Sequence, residues 1–86
     1  MTNEAHFTIL REIVKAYLPE DVSVTEIRRD SNFITELNIN SANLVDIILD
    51  VEDAYAIKLE NEDMDRMRTV EDALEIIVKK LADKDR

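Results

Sequence analysis

Residues 37–45 read LNINSANLV and lead into an acidic, amphipathic stretch of this 86-residue chain. Asn40 is a good N-cap, because its side-chain oxygen can accept a backbone N–H of the first helical turn. Ser41 then falls in that first turn, where free N–H groups and the helix dipole favour negative charge. The stretch therefore predicts a helix whose entrance presents a serine hydroxyl, in a place that suits a phosphate ester.

The composition indicates one small domain, which we expect to cover residues 1–86. The chain has no cysteine, and His6 is its single histidine, so most metal sites and nucleophile–base pairs lack their parts. We therefore expect no metal site and no enzymatic activity, with His6 exposed at the surface. No apolar run is long enough to span a bilayer and the N-terminus does not read as a signal peptide, which predicts a cytoplasmic protein without membrane insertion. We also expect a monomer.

The charge of the chain is strongly negative and unevenly distributed. The 20 acidic residues outnumber the 11 basic ones, for a net charge of −9, which argues against nucleic acid as a partner. Between Asn38 and Asp65, eight acidic residues are opposed by Lys58 alone. This bias is typical of a solvated helix face, but it also fits a docking surface for basic proteins, and composition leaves both interpretations open.

The spacing of apolar residues predicts an all-α fold, a small four-helix bundle with three main helices, one short third helix and a long loop between the first two. The absence of glycine and the single proline, Pro19, agree with helices joined by short polar connections. The first helix is expected from Glu4 to Leu18 and the second from Ser41 to Tyr55. A short turn over Glu62–Met67 then precedes a last helix that begins at Thr69.

Each main helix carries an apolar stripe, and the long loop from Glu20 to Asn40 is expected to pack onto the core with a helical turn near Phe33. Thr69 and Asp72 have the spacing of a capping box at the start of the last helix. The expected stripes are Phe7, Leu10, Ile13, Val14 and Tyr17 in the first helix, Leu44, Ile48, Val51 and Tyr55 in the second, flanked by Val45 and Ile47, and Val70, Ala73, Leu74, Ile77, Val78 and Leu81 in the last.

Three stretches follow one another at the spacing of a known family. Residues 37–42 read LNINSA, residues 45–55 read VDIILDVEDAY and residues 69–73 read TVEDA. Over Leu37–Ile77, about half of the chain and without a gap, they resemble the acyl carrier proteins. That family carries Leu-Gly-x-Asp-Ser-Leu, an acidic helix, a short third helix and Thr-Val-x-x-Ala at the start of the last helix.

The resemblance implies a carrier and not a catalyst. In this family a phosphopantetheinyl transferase attaches a 4′-phosphopantetheine arm from coenzyme A to the motif serine, here Ser41, which follows Asn40. The thiol of the arm holds acyl groups as thioesters and presents them to biosynthetic enzymes of fatty acid, lipid or polyketide-like pathways. Basic docking patches on those enzymes meet the second helix, which by position implies partner contacts at Asp46, Glu52 and Asp53.

The family also sequesters acyl chains between its helices. Methionine is flexible, so Met64 and Met67 are suited to repacking around a guest. The same positions also fit an ordinary apolar core in the unloaded protein. The matching positions of the acyl pocket are Phe33, Leu44, Ile48, Val51, Leu59, Met64, Met67, Ala73 and Ile77.

Four positions depart from the family pattern. Asn40 replaces an Asp that helps to hold magnesium during transfer of the arm, and Ala42 replaces a Leu that partner enzymes contact. Asn38 replaces a Gly but tolerates a left-handed backbone, and Glu60 replaces a common Pro, which should loosen that connection. These differences suggest a specialised carrier with dedicated partners.

Two other hypotheses fit the residues, and a third fits them poorly. An aminoacyl or peptidyl carrier would share the fold and the arm. A helical interaction module would never carry an arm, as the altered motif around Ser41 allows. Calcium binding by the acids between Asp50 and Asp65 is disfavoured, because an EF-hand loop needs a glycine at its sharp turn.

Overall fold

A computed structural model describes residues 3–84, which form four α-helices around one core and, within that range, contain no β-strand. The all-α expectation is therefore confirmed, with the long loop between the first two helices. The helices are α1 (Asn3–Lys15), α2 (Ser41–Tyr55), α3 (Asn61–Arg66) and α4 (Val70–Lys84), and a 3-10 helix (Val24–Glu26) lies in the long loop.

Helix α1 ends at Lys15, three residues before the expected end at Leu18. The chain then tightens, because the Tyr17 N–H donates to the Val14 carbonyl at 2.9 Å and the Leu18 N–H donates to the Lys15 carbonyl at 3.4 Å. Pro19 explains this early end, since proline disfavours helical backbone in the residue before it and cannot donate a hydrogen bond. The effect of Pro19 on the helix thus extends to the whole turn before it.

The turn after α1 is tied to α2 by a tyrosine. The Tyr17 hydroxyl donates to the Asp50 carboxylate at 2.6 Å. This hydrogen bond, with help from desolvation, raises the pKa of Tyr17 to about 12. One of the acids on α2 therefore has a partner inside the fold.

Side chains within the long loop satisfy its backbone groups locally. The Ser23 hydroxyl accepts the Thr25 N–H at 3.3 Å, and the Glu26 carboxylate accepts the Ser23 N–H at 2.7 Å, which caps the 3-10 helix. The turn expected near Phe33 is also present, because the N–H of Glu36 donates to the Asn32 carbonyl at 3.1 Å. It is a hydrogen-bonded turn and not a stretch of α-helix.

The end of the long loop is joined to the start of α4. The Phe33 N–H donates to the Arg68 carbonyl and the Val70 N–H donates to the Ser31 carbonyl, both at 3.0 Å, around an isolated antiparallel bridge. These bonds hold the chain just before α2 against an element more than thirty residues away in the sequence. The position of α2 therefore depends on this bridge as well as on its own packing.

The predicted capping box at the start of α4 is confirmed. The Asp72 N–H donates to the Thr69 hydroxyl at 3.2 Å, and the Thr69 N–H donates to the Asp72 carboxylate at 3.1 Å. Two N–H groups at this helix entrance are satisfied reciprocally, with Asp in the place of the usual Glu or Gln.

The core is a single apolar cluster, and most of the predicted stripe positions belong to it or pack against it. On α4 the expectation for Val78 was wrong, because its side chain is 41% exposed whereas that of Ile76 is only 8% exposed. Ile76 lies on the side of α4 that faces Asp63 and Arg66 of α3, while Val78 faces an open groove. Since α3 covers only one side of α4, it decides which of the two flanking residues is buried.

His6 is buried, which corrects the expectation of surface exposure. Its side chain is 4% exposed, its Nδ1 lies 3.0 Å from the Tyr55 hydroxyl, and the two rings are 5.4 Å apart. Burial lowers the pKa of His6 and raises the pKa of Tyr55. His6, Leu10 and Val14 are four residues apart and all buried. This helical spacing is the sequence signal that could have predicted the burial of His6.

We predict that stability falls between about pH 7.5 and pH 5.5 because of His6. Its pKa is lower in the folded chain than its ordinary value of 6.5, so the unfolded chain binds more protons as the pH falls through that value. One proton gives a slope of at most about 1.4 kcal/mol per pH unit in the free energy of unfolding. Urea titrations at a series of pH values measure this slope.

The control is His6→Phe, which keeps a buried ring but cannot be protonated. Its free energy of unfolding should vary less with pH over the same range, although it loses the hydrogen bond to Tyr55. Parallel slopes for the two proteins would show that His6 does not carry the dependence.

Candidate functional site

Ser41 is the first residue of α2, and its side chain is exposed. Asn40 precedes it in an extended conformation, with φ −74° and ψ 162°, and its side-chain oxygen accepts the Asn43 N–H at 2.8 Å. The Asn40 carbonyl accepts the Leu44 N–H at 3.0 Å, so the helical hydrogen bonds begin at this residue. The structure therefore has the helix entrance, the cap and the serine hydroxyl where the sequence predicts them.

The backbone at this entrance favours an anion. The N–H groups of Ser41 and Ala42 have no acceptor among residues 3–84. Free N–H groups and the positive end of the helix dipole both stabilise negative charge near the Ser41 hydroxyl. The small, exposed side chain of Ala42 leaves room beside it. These features fit a phosphodiester on the serine.

The four residues before Ser41 alternate between buried and exposed. Leu37 and Ile39 are buried in the core, and the Ile39 N–H donates to the Phe33 carbonyl at 3.0 Å. Asn38 is exposed and has a left-handed backbone with φ 55°, as expected for an Asn at the family's Gly position. The two buried side chains anchor the approach, so the entrance of α2 has a defined position.

Of the acidic residues predicted to contact partners, two are free and one has an internal role. Asp46 and Asp53 are exposed, and their carboxylates have no hydrogen-bond or ion-pair partner in the described part of the chain. Glu52 is half-buried, and its carboxylate accepts the Leu59 N–H at 2.7 Å. Glu52 therefore also holds the connection between α2 and α3.

Two apolar residues on α2 were not identified as surface residues from the sequence. Val45 and Leu49 are each 51% exposed. They follow Ser41 at intervals of four, so the three residues lie along one face of the helix. The same spacing is the signal that could have found them. This face offers an apolar stripe that starts at the serine, with Asp46 beside it.

The nine positions predicted for the acyl pocket converge on one cluster of the core. Seven of them are buried, whereas Leu44 and Met64 are half-buried. They come from the long loop, α2, the connection after it, α3 and α4, and an ordinary apolar core accounts for this arrangement equally well. The buried seven are Phe33, Ile48, Val51, Leu59, Met67, Ala73 and Ile77.

Helix α3, which borders this cluster, is held by a buried acid, Asp63, that no sequence motif indicates. The Asp63 carboxylate accepts the Glu60 N–H at 3.0 Å and pairs with the Lys80 ammonium at 2.9 Å. The bond from Glu60, followed by the pair with Lys80, lowers the pKa of Asp63, and the same pair raises the pKa of Lys80. The short helix is thus tied to α4.

Three surface grooves lie away from the nine predicted acyl positions, none of which lines them. The first, of about 390 Å³, lies between α3 and α4 and has a charged lining that includes Arg66 and Lys79. The second, of about 250 Å³, lies on α4 beside Arg29 of the long loop. The third, of about 500 Å³, lies along the long loop itself. Within residues 3–84, no three acidic or histidine side chains gather as metal ligands, and no helix is long and apolar enough to cross a membrane.

Known proteins match most of this chain in sequence. A sequence model of the family described as the phosphopantetheine attachment site matches residues 8–77. The acyl carrier protein of an Exiguobacterium species is 33% identical over 81 residues, which cover 94% of this chain and 100% of that protein. The acyl carrier protein of Helicobacter hepaticus is 32% identical over 68 residues, which cover 77% of this chain and 90% of that protein.

Solved structures show the same fold. The acyl carrier protein of Thermotoga maritima superposes with a TM-score of 0.79 at 24% identity, covering 95% of this chain and 93% of that one. That of Enterococcus faecalis superposes with a TM-score of 0.75 at 24% identity, covering 93% and 99%. The family model and the sequence relatives, whose fold this chain shares, define a carrier domain of the phosphopantetheine-bearing class.

The chain belongs to the acyl carrier protein family. As a member it bears a covalently attached 4′-phosphopantetheine and acts as a carrier for enzymes that process acyl groups, without being a catalyst itself.

Proposed function

We propose that this chain carries acyl groups on an arm attached to Ser41, as a cytoplasmic monomer in a fatty acid, lipid or polyketide-like pathway. The observation that carries the proposal is the exposed Ser41 hydroxyl at the first residue of α2, next to two free N–H groups. The hydroxyl would hold the phosphodiester, and the N–H groups of Ser41 and Ala42 would stabilise its charge. When bound, the group supplies a terminal thiol that holds acyl groups as thioesters.

Replacement of Ser41 tests the attachment. We expect the wild-type chain, co-expressed with a phosphopantetheinyl transferase, to gain the mass of one phosphopantetheine, and Ser41→Ala to gain none. Ser23→Ala is the matched control, because Ser23 is also an exposed serine beside a helix start, and it should be modified as the wild type is. Intact-mass spectrometry measures all three proteins.

A mass gain that persists in Ser41→Ala would show that the arm is attached to a residue other than Ser41. A wild-type chain that is never modified, by its own or by a generic transferase, would favour the alternative of an interaction module without an arm. An aminoacyl or peptidyl carrier is the alternative within the same chemistry. Relatives named acyl carrier proteins favour the acyl group, and the mass of the loaded chain isolated from its host distinguishes the two.

Docking of the transferase and of acyl-processing enzymes belongs to the same proposal. The free carboxylates of Asp46 and Asp53 would attract a basic patch, and the exposed Val45 and Leu49 would pack against apolar residues at its centre. Glu52 would contribute negative potential even while it accepts the Leu59 N–H. The shared helix brings the partner surface directly up to Ser41.

Asn40 should limit modification by a generic transferase. The cap that Asn40 provides is also available from Asp, and Asp adds a charged oxygen for the magnesium used during transfer. We expect Asn40→Asp to raise the rate of modification about tenfold, which corresponds to about 1.4 kcal/mol of transition-state stabilisation. The measurement is the initial rate of mass gain over a magnesium series.

Asn61→Asp is the control for Asn40→Asp, because it adds the same charge at the start of α3, a different helix from the one that begins at Ser41. Its rate should stay close to that of the wild type. Equal rates for the wild type and Asn40→Asp would remove the magnesium explanation for the Asn at this position.

Sequestration of the acyl chain in the core is the last part of the proposal. Support comes from the nine apolar positions, which share one cluster, and from Met64 and Met67, whose flexible side chains can repack around a guest. We expect the methyl signals of both methionines to shift between the arm-bearing form and a form loaded with a long acyl chain. The methyl of the exposed Ala82 serves as the internal reference.

Nuclear magnetic resonance on methyl-labelled protein provides this comparison. If Met64 and Met67 keep their chemical shifts while the loaded mass is intact, the acyl chain lies outside the core.

A further inference from the structure

Lys58 is an exception in the most acidic part of the chain. It is the single cation between Asn38 and Asp65, where eight acidic residues occur. Its side chain is exposed, and no carboxylate within residues 3–84 lies within 4.0 Å of its ammonium group. Lys58 is therefore an unpaired positive charge within an acidic stretch of the chain.

The backbone places Lys58 next to the proposed docking face of α2. Ala56 ends the helix in a left-handed conformation, with φ 53° and ψ 45°, and its N–H donates to the Glu52 carbonyl. The Ile57 N–H donates to the same carbonyl at 3.1 Å, and the Leu59 N–H donates to the Glu52 carboxylate at 2.7 Å. The chain thus wraps around Glu52, and Lys58 lies between two of the residues that bind it.

A purely structural role does not account for Lys58. A cation beyond a helix C-terminus interacts with the dipole, but at an exposed site this interaction is weak and is screened by salt. The carbonyl of Tyr55, the last residue of α2, already accepts the Lys84 ammonium at 3.4 Å. Lys58 itself makes no hydrogen bond to the terminal carbonyls among the described residues.

We propose that Lys58 determines partner specificity. The partner enzymes of this carrier present an acidic side chain opposite Lys58, at the edge of an otherwise basic docking patch. Lys58 disfavours enzymes whose patch is basic throughout, because two like charges brought together in an interface raise the free energy of the complex. This inference rests on the proposed docking of α2 and adds a repulsive element to it.

The probe for the experiment is a phosphopantetheinyl transferase whose carrier-docking surface has Lys and Arg residues but no Asp or Glu. Lys58→Glu is expected to raise kcat/KM for modification about tenfold through a lower KM, with kcat unchanged. The gain should shrink as salt rises, because screening weakens interactions between exposed charges. Lys15→Glu, which makes the same change in net charge at the exposed end of α1, is the matched control and should leave KM nearly unchanged.

A reciprocal substitution completes the test. When the transferase residue nearest Lys58 in the docked complex is changed to Glu, the preference should reverse, so that the wild-type carrier has the lower KM. Equal KM values for the wild type and Lys58→Glu, or an equal gain from Lys15→Glu, would overturn the proposal. Failure of the proposed function is distinguishable, because then none of the carrier variants gains mass.

Discussion

The burial of the loop segment before α2 is the constraint on which the site depends. Phe33, Leu37 and Ile39 are all in the core, and burying each of them stabilises the fold by about 1.5 to 3 kcal/mol. The Phe33 N–H is bound to the Arg68 carbonyl and its own carbonyl accepts the Ile39 N–H. Because the approach is held from both sides, the entrance of α2 has one position, and Ser41 is presented on a fixed helix end.

Helix α2 has three groups of residues on different faces. Its buried residues, Ile47, Ile48, Val51 and Tyr55, belong to the core. The face that follows Ser41 carries the exposed Val45 and Leu49, while the first turn provides the free N–H groups. With 3.6 residues per turn, the helix points its buried and its exposed residues in different directions. Changes on the proposed docking surface therefore leave the core contacts in place. One helix can therefore serve stability together with the proposed attachment and recognition.

The acidic character of the chain overstates the charge available for partners. Asp50 accepts the Tyr17 hydroxyl, Glu52 accepts the Leu59 N–H, and Asp63 is buried against Lys80. Each of these carboxylates stabilises a junction between elements, so they shape the surface more than they recruit partners. The exposed acidic residues that remain, together with the positive charge of Lys58, form a mixed pattern of charge and not a uniform negative field. A mixed pattern discriminates between partners, whereas a uniform one chiefly speeds their encounter.

The features that depend on neighbouring residues in the chain were determined by the sequence itself. The bounds of α2, the Asn40 cap, the left-handed Asn38 and the capping box of Thr69 and Asp72 all rest on contacts within a few residues, and all were predicted. The nine positions predicted for the acyl pocket came from the family resemblance, and they share one core cluster.

Tertiary structure decided what depends on a second element. His6 is buried because Tyr55, 49 residues away, meets it across α1 and α2, and composition had suggested an exposed residue. Ile76 is covered and Val78 exposed because α3 packs on one side of α4, and the periodicity of α4 was compatible with either. Local patterns determine caps and the apolar stripe of a helix. The edges of that stripe are buried or exposed according to which neighbouring element packs against them.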